Sequence, residues 1–111
     1  LLAGFISPLA GPRAWKTFDK KIAGAINAIF EVGNVPCAKI PKSVEFFNKY
    51  AKKYGKPIEA GHSPAPAYEM VYILKEAIER AGSVNGDKVV AALEKTNRDG
   101  AMGHIQFGKD H

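Results

Sequence analysis

The sequence has one cysteine, Cys37, among 111 residues. A lone thiol excludes an internal disulfide, and with it a disulfide-stapled mini-protein. No Cys/Cys/His/His spacing occurs, which excludes a structural zinc module. No apolar run approaches the ~20 residues that a membrane span needs. The chain opens Leu-Leu-Ala-Gly, without Met and without a charged leader and cleavage site, so no signal peptide is visible. G-x-G-x-x-G, G-x-x-x-x-G-K, G-x-S-x-G and H-E-x-x-H are all missing. A phosphate-cradling loop, an esterase nucleophile and a zinc-protease helix are therefore unsupported. No internal repeat or low-complexity tract is present.

The residues that are there describe a folded chain. Hydrophobic residues make up 46% and charged residues 24%, too balanced for disorder. Length alone fits one domain with a modest core. The net charge of +5 is uneven. Residues 1–56 carry ten Lys/Arg against three Asp/Glu, and residues 57–111 carry six against eight. The densest basic stretch is Lys49, Lys52, Lys53 and Lys56. A solvated helix face explains it more cheaply than a phosphate-binding stripe. Core packing likewise explains Trp15, Phe18, Phe46 and Phe47 more cheaply than base stacking.

Periodicity gives the elements. Leu1–Ile6 reads as a strand that Ser7-Pro8 ends. A short helical turn is expected around Trp15 and Phe18, after the Gly11-Pro12 breaker. Ala25–Val32 reads as a strand with Ile26, Ala28, Phe30 and Val32 on one face, and Asn27 and Glu31 on the other. A helix follows over Lys42–Tyr54, with Ser43 as a candidate cap and a stripe of Val44, Phe47, Ala51 and Tyr54, widened by Phe46 and Tyr50. Gly55 and Pro57 stop it. Ile58–Gly61 reads as a short strand. A second helix runs from Ser63-Pro64-Ala65-Pro66 to Ala81, with Ala67, Val71, Leu74 and Ile78 as its stripe and Glu69, Glu76, Glu79 and Arg80 as its narrow polar face. Glu76 and Arg80 are spaced for an i,i+4 pair. A third helix spans Asn85 to Thr96, capped by Asn85, with Val89, Val90 and Leu93 as core contacts. Asn97–Gly100 reads as a turn and Met102–Phe107 as a strand. This is an α/β arrangement with too few strands to cover three helices, so it reads as part of a larger open sheet.

Chemistry-bearing residues are sparse. His62, His104 and His111 lie in no ligand-like spacing, so no metal site is expected. Cys37 has no nearby His and reads as a bystander thiol. Glu76 and Glu79, flanked by Lys75 and Arg80, read as a solvated ion-pair ladder rather than an acid/base pair. Two stretches stand out: Ser7, where the first strand ends, and Gly61-His62-Ser63-Pro64, before the long helix. Loops at the carboxyl ends of strands hold ligands in open α/β sheets, and helix starts suit carboxylates. The plainer alternative is that Ser7 turns the chain and Ser63 caps the helix.

Several pieces carry a family resemblance together. Phe46-Phe47-Asn48-Lys49-Tyr50-Ala51-Lys52-Lys53-Tyr54-Gly55 resembles a Phe-x-x-x-Tyr-x-x-x-Tyr-Gly helix. Residues Ala67 to Ser83 resemble a Tyr-Asp-Ala…Ala-Ile-x-x-Ala-Gly-Ser helix, with Glu69 in place of Asp. Lys88–Glu94 and Gly103–Phe107 match the two elements that follow. In this order they are similar to the C-terminal part of branched-chain amino acid ABC transporter substrate-binding proteins of the leucine/isoleucine/valine-binding type. The match is close over residues 41–110 and looser over 1–40.

The resemblance implies a fragment of a two-lobed, Rossmann-like open-sheet α/β fold of the periplasmic-binding-protein type. Residues 1–40 would close a second-lobe segment and cross over, and residues 41–111 would form the C-terminal part of the first lobe. Tyr68, Met70 and Val71 would sit in that lobe's core. The implied function is capture of a small solute, an amino acid or related small carboxylate, by hinge closure. Neither catalysis nor a cofactor is implied. The partners would be a small-molecule ligand and a permease, with no nucleic acid. The location would be the periplasm, or the outer face of a Gram-positive membrane. Carried over by position, Ser7, His62 and Ser63 are the candidate ligand residues. No acid stands near Ser7 to meet an amino group, which departs from the amino-acid binders. Exposed helix faces and sheet edges would let the piece self-associate. The alternatives are a ligand-sensing domain of the same fold and, from another class, a small basic nucleic-acid-binding protein.

Overall fold

Two short strands, Ala3–Gly4 (β1) and Ile26–Asn27 (β2), pair in parallel, Ala3 opposite Ile26 and Gly4 opposite Asn27. The computed structural model describes residues 2–9, 13–28, 35–59 and 63–109. Between the strands come a 3-10 turn, Ser7–Leu9, and one turn of helix, Ala14–Thr17 (α1). The expected strand Ala25–Val32 is shorter, and Phe30 and Val32 fall outside the described residues. Its sides are also reversed: Ile26 is 59% exposed, whereas Asn27 is half-buried and accepts the Ile6 N–H on Oδ1 at 2.8 Å. That hydrogen bond, rather than apolar burial, sets which side of β2 turns inward.

The first long helix spans Pro41–Tyr54 (α2). Proline pushes the preceding residue out of the helical region, and Ile40 is extended at φ −120°, ψ 93°. Ser43 does not cap this helix. It is fully buried, and its Oγ accepts the Cys37 N–H at 3.1 Å, tying the approach loop to the first turn. At the far end Gly55 takes φ 69°, and its N–H returns to Ala51 O at 2.9 Å. Ile58 is buried but joins no strand. The expected strand Ile58–Gly61 is absent at Ile58–Glu59, and its last two residues lie outside the described residues.

The second helix, Pro64–Ala81 (α3), corrects the expected burial most sharply. Met70, Val71 and Leu74 are 64%, 62% and 45% exposed, whereas Glu69 is 2% exposed. Of the predicted polar side, Glu69 is buried and Glu76 half-buried, while Glu79 and Arg80 stay exposed. Met70 and Val71 therefore hold no core here, while Tyr68 packs against one. The cause is the C-terminal hairpin. Asn97–Gly100 (β3), expected as a turn, is a strand antiparallel to Gly103–Gln106 (β4), and it docks on the glutamate side of α3.

Between α3 and the hairpin lies Gly86–Leu93 (α4). Asn85 caps it through Oδ1, which accepts the Lys88 N–H at 3.3 Å. Val89 and Ala92 are buried, while Val90 is exposed and Thr96 falls beyond the helix. Arg80 reaches across from α3 and donates to Ala92 O at 2.5 Å. The expected Glu76–Arg80 pair gives way to this contact.

The core comes in two parts. One gathers Phe46, Ile58, Ala65 and Ala101, with Phe47, Tyr50, Tyr68 and Met102 against them. The other joins α3 to α4 through Ala77, Val89 and Ala92, flanked by Ile78, Ala81 and Leu93. Burying a side chain such as Phe46 is worth about 2–3 kcal/mol, and few of the buried residues are that large. The radius of gyration is 17.0 Å, against about 13 Å for a compact chain of this length.

Candidate functional site

The parallel β1–β2 pair gives the chain one sheet edge with carboxyl ends side by side. Ser7 begins the 3-10 turn just past β1, and Leu9 N–H closes that turn on Ile6 O at 2.8 Å. Asn27 ends β2 on the same side and supplies the polar atom that fixes Ile6. Ser7 thus lies where open α/β sheets place ligands. Asn27 was legible only as one residue of a polar strand face.

Ser63 is exposed at the start of α3 and makes no side-chain cap. Its backbone carbonyl accepts the Ala67 N–H at 3.0 Å. Pro64 and Pro66 have no N–H, so the first turn keeps a single unpaired donor position, at Ala65. Ala65 is fully buried. This helix start therefore offers few backbone donors to a carboxylate. His62 lies outside the described residues. The Ser7 turn is held by the β1–β2 pair, and Ser63 by α3, through separate contacts.

The most densely bonded polar group is one that sequence reading passed over. The Glu69 carboxylate accepts from the Arg98 guanidinium and from the Ala101 N–H at the hairpin turn. Arg98 Nε also lies 3.2 Å from Glu76 Oε1, and its guanidinium sits 5.8 Å from the Tyr72 ring centroid. Lys42 of α2 donates to Asp99 O at 2.7 Å. The hairpin is thus tied to both long helices. A cleft of about 170 Å³ opens here, lined among others by Lys42, Glu45, Tyr72 and Arg98. The Tyr68 and Tyr72 rings lie 4.9 Å apart between centroids, tilted by 54°. The Tyr68 hydroxyl is pushed up to about 12, first by its hydrogen bond with Tyr72, then by burial and nearby negative charge. The signal for Glu69 in the sequence was its i,i+7 spacing to Glu76, which fits one cation between two carboxylates.

The other charged residues are solvated. Lys75 and Glu79 pair at 2.8 Å, and His104 Nδ1 meets Asp99 Oδ1 at 2.9 Å, all four exposed. Among the described residues no cluster of three His, Cys, Asp or Glu side chains is placed to hold a metal ion. Cys37 is a half-buried free thiol. No helix among them is long and apolar enough to cross a membrane.

A protein-family model described as periplasmic binding protein matches residues 3–111. No curated protein and no solved structure matches the chain.

Proposed function

The chain belongs to the periplasmic binding protein family, and from that premise we propose that it is part of the extracytoplasmic solute-binding component of an ABC transporter. It captures a small solute, an amino acid or related small carboxylate, between two lobes. The solute stabilises the closed form because both lobes touch it only there. The observation that carries this reading is the family match over residues 3–111. Binding proteins of this family are generally not enzymes.

Within this reading residues 1–40 close a second-lobe segment and cross over, and residues 41–111 belong to the first lobe. The exposed Met70, Val71 and Leu74 face of α3 supports it. Such a face is what the remaining sheet of a lobe would cover, and left bare it drives self-association. Ser7, His62 and Ser63 contact the solute, and the loaded protein hands it to a permease outside the cytoplasmic membrane. Ser7 is the best supported of the three, because it follows the carboxyl end of a parallel strand.

The test is thermal-shift screening of the full reading frame against the twenty amino acids and a panel of small carboxylates. A true ligand at a hundred times its Kd adds about 2.7 kcal/mol of stability. Ser7→Ala then weakens the response to that ligand at least several-fold. A panel without any shift rejects the solute class. A kinase or DNA-binding domain in the same frame redirects the assignment to a sensor.

A further inference from the structure

The second half of α2 and the first turns of α3 enclose a groove whose lining excludes Ser7 and Asn27. Its volume is about 310 Å³, and Phe46, Tyr50, Tyr54, Tyr68 and Pro64 form its walls. The rings are mutually packed: Phe46 lies 4.7 Å from Tyr68, and Tyr50 lies 4.6 Å from Tyr54, between centroids. Tyr54 is 55% exposed, so this aromatic surface faces water. Lys49 and Lys53 stand on the rim, and Lys53 Nζ lies 5.4 Å from the Tyr54 ring centroid.

The charge around the groove is mainly positive. From Phe46 to Ile58 the sequence contains no acid but four lysines. Glu45 is committed to Lys49 at 2.6 Å. Lys52, Lys53 and Lys56 have no acidic partner among the described residues. Lys49 to Lys53 spans about 6 Å of helix, the length of roughly two extended residues, and Lys56 follows just past the helix end.

We propose that this groove docks an acidic peptide segment of a partner protein, with one aromatic side chain seated among the tyrosines and flanking carboxylates on the lysines. The exposed Tyr54 ring leaves the groove open to solvent on one side. Pockets for free small molecules bury most of the ligand, which this groove does not do. An anchored side chain on an extended segment needs burial on one side only, and aromatic anchors in such clefts carry most of the binding energy. A nucleic acid fits less well, because the rings line a recess between helices instead of a flat stacking platform.

The test uses the 111-residue chain and a fluorescein-labelled peptide, Glu-Asp-Trp-Asp-Glu, read by fluorescence anisotropy at 50 mM and 200 mM salt. The expected result is saturable binding that weakens with salt. Replacing the peptide's Trp by Ala weakens it at least tenfold. Lys53→Glu and Tyr54→Ala, both at exposed positions, each weaken it at least fivefold while circular dichroism stays unchanged. No binding at millimolar peptide overturns the proposal. So does equal binding of the Ala peptide, or tighter binding of a ten-nucleotide oligothymidylate through the same residues. The groove borders Ser63 through Pro64 but includes neither Ser7 nor the strand ends, so failure here leaves the solute-binding reading intact.

Discussion

Arg98 of the hairpin bonds the buried carboxylate of Glu69 and lies 5.8 Å from the centre of the Tyr72 ring. This pair decides which side of α3 packs. Guanidinium and carboxylate meet with the Ala101 N–H as a second donor, so the charge of Glu69 is shared by two partners. Removing one partner of a buried pair costs far more than the pair is worth against an apolar substitute.

Arg98→Ala is expected to destabilise the chain by about 3–5 kcal/mol, since it leaves Glu69 charged and buried. Urea unfolding checks this. The double variant with Glu69→Gln should recover part of the loss, as the amide still accepts from Ala101. A cost below about 1 kcal/mol for Arg98→Ala would place the pair among surface ion pairs.

Gly100 offers a second probe of the same contact. A Cβ built there meets the Glu69 carboxylate and lies 2.5 Å from its Cδ. Gly100→Ala should therefore cost about 1–3 kcal/mol by overpacking. The Gly100→Ala, Glu69→Ala double variant should cost less than the two changes added together, which thermal melts of all four proteins will show.

Tyr68 should titrate well above the ordinary tyrosine range. Its hydroxyl is pushed up to about 12 by the hydrogen bond with Tyr72. The folded value lies above the unfolded one, so the contribution is intact below about pH 10 and is lost as pH rises toward 12. Absorbance at 295 nm should show one late-ionising tyrosine, absent in Tyr68→Phe. Four tyrosines ionising together would rule the arrangement out.

Thr96 is 2% exposed, and its Oγ1 has no hydrogen-bond partner among the described residues. Thr96→Val removes that desolvated hydroxyl at nearly constant shape. It should raise stability by about 1 kcal/mol in denaturant melts. A loss instead of a gain means that the hydroxyl is satisfied.

The bare side of α3 gives the last prediction. Val71→Lys should change the stability of this chain by no more than about 0.5 kcal/mol, because the position is 62% exposed. In sedimentation velocity it should lower the share of self-associated species. In the full-length protein the same change should cost about 2 kcal/mol or more. Equal tolerance in both would refute the placement of residues 41–111 within a larger lobe.

The helices were legible in the sequence because their signals are local. Pro41 and Gly55 bound α2, Asn85 caps α4, and the parallel β1 marks where Ser7 turns. What could not be read was decided at a distance. Asn97-Arg98-Asp99-Gly100 has no apolar alternation and looks like a turn, yet it becomes β3 by pairing with β4. Glu69 looks like a solvent residue until Arg98, 29 positions later, arrives beside it. Ser43 looks like a helix cap, but its hydroxyl serves the Cys37 N–H upstream. Of the candidate ligand residues, Ser7 has a strand end to support it. Ser63 loses its carboxylate argument to two prolines, a loss that was already written in Pro64 and Pro66.

Emergence from the ribosome gives these contacts an order. Arg80 is synthesised before α4, so the Ala92 carbonyl finds its donor waiting. Glu69 has the opposite history, because its partners Arg98 and Ala101 follow 29 and 32 residues behind it. Until they leave the exit tunnel, α3 carries a carboxylate that has no reason to be buried. The helix can hold either side toward its neighbours during that interval. The orientation of α3 is therefore settled only once the hairpin has been made.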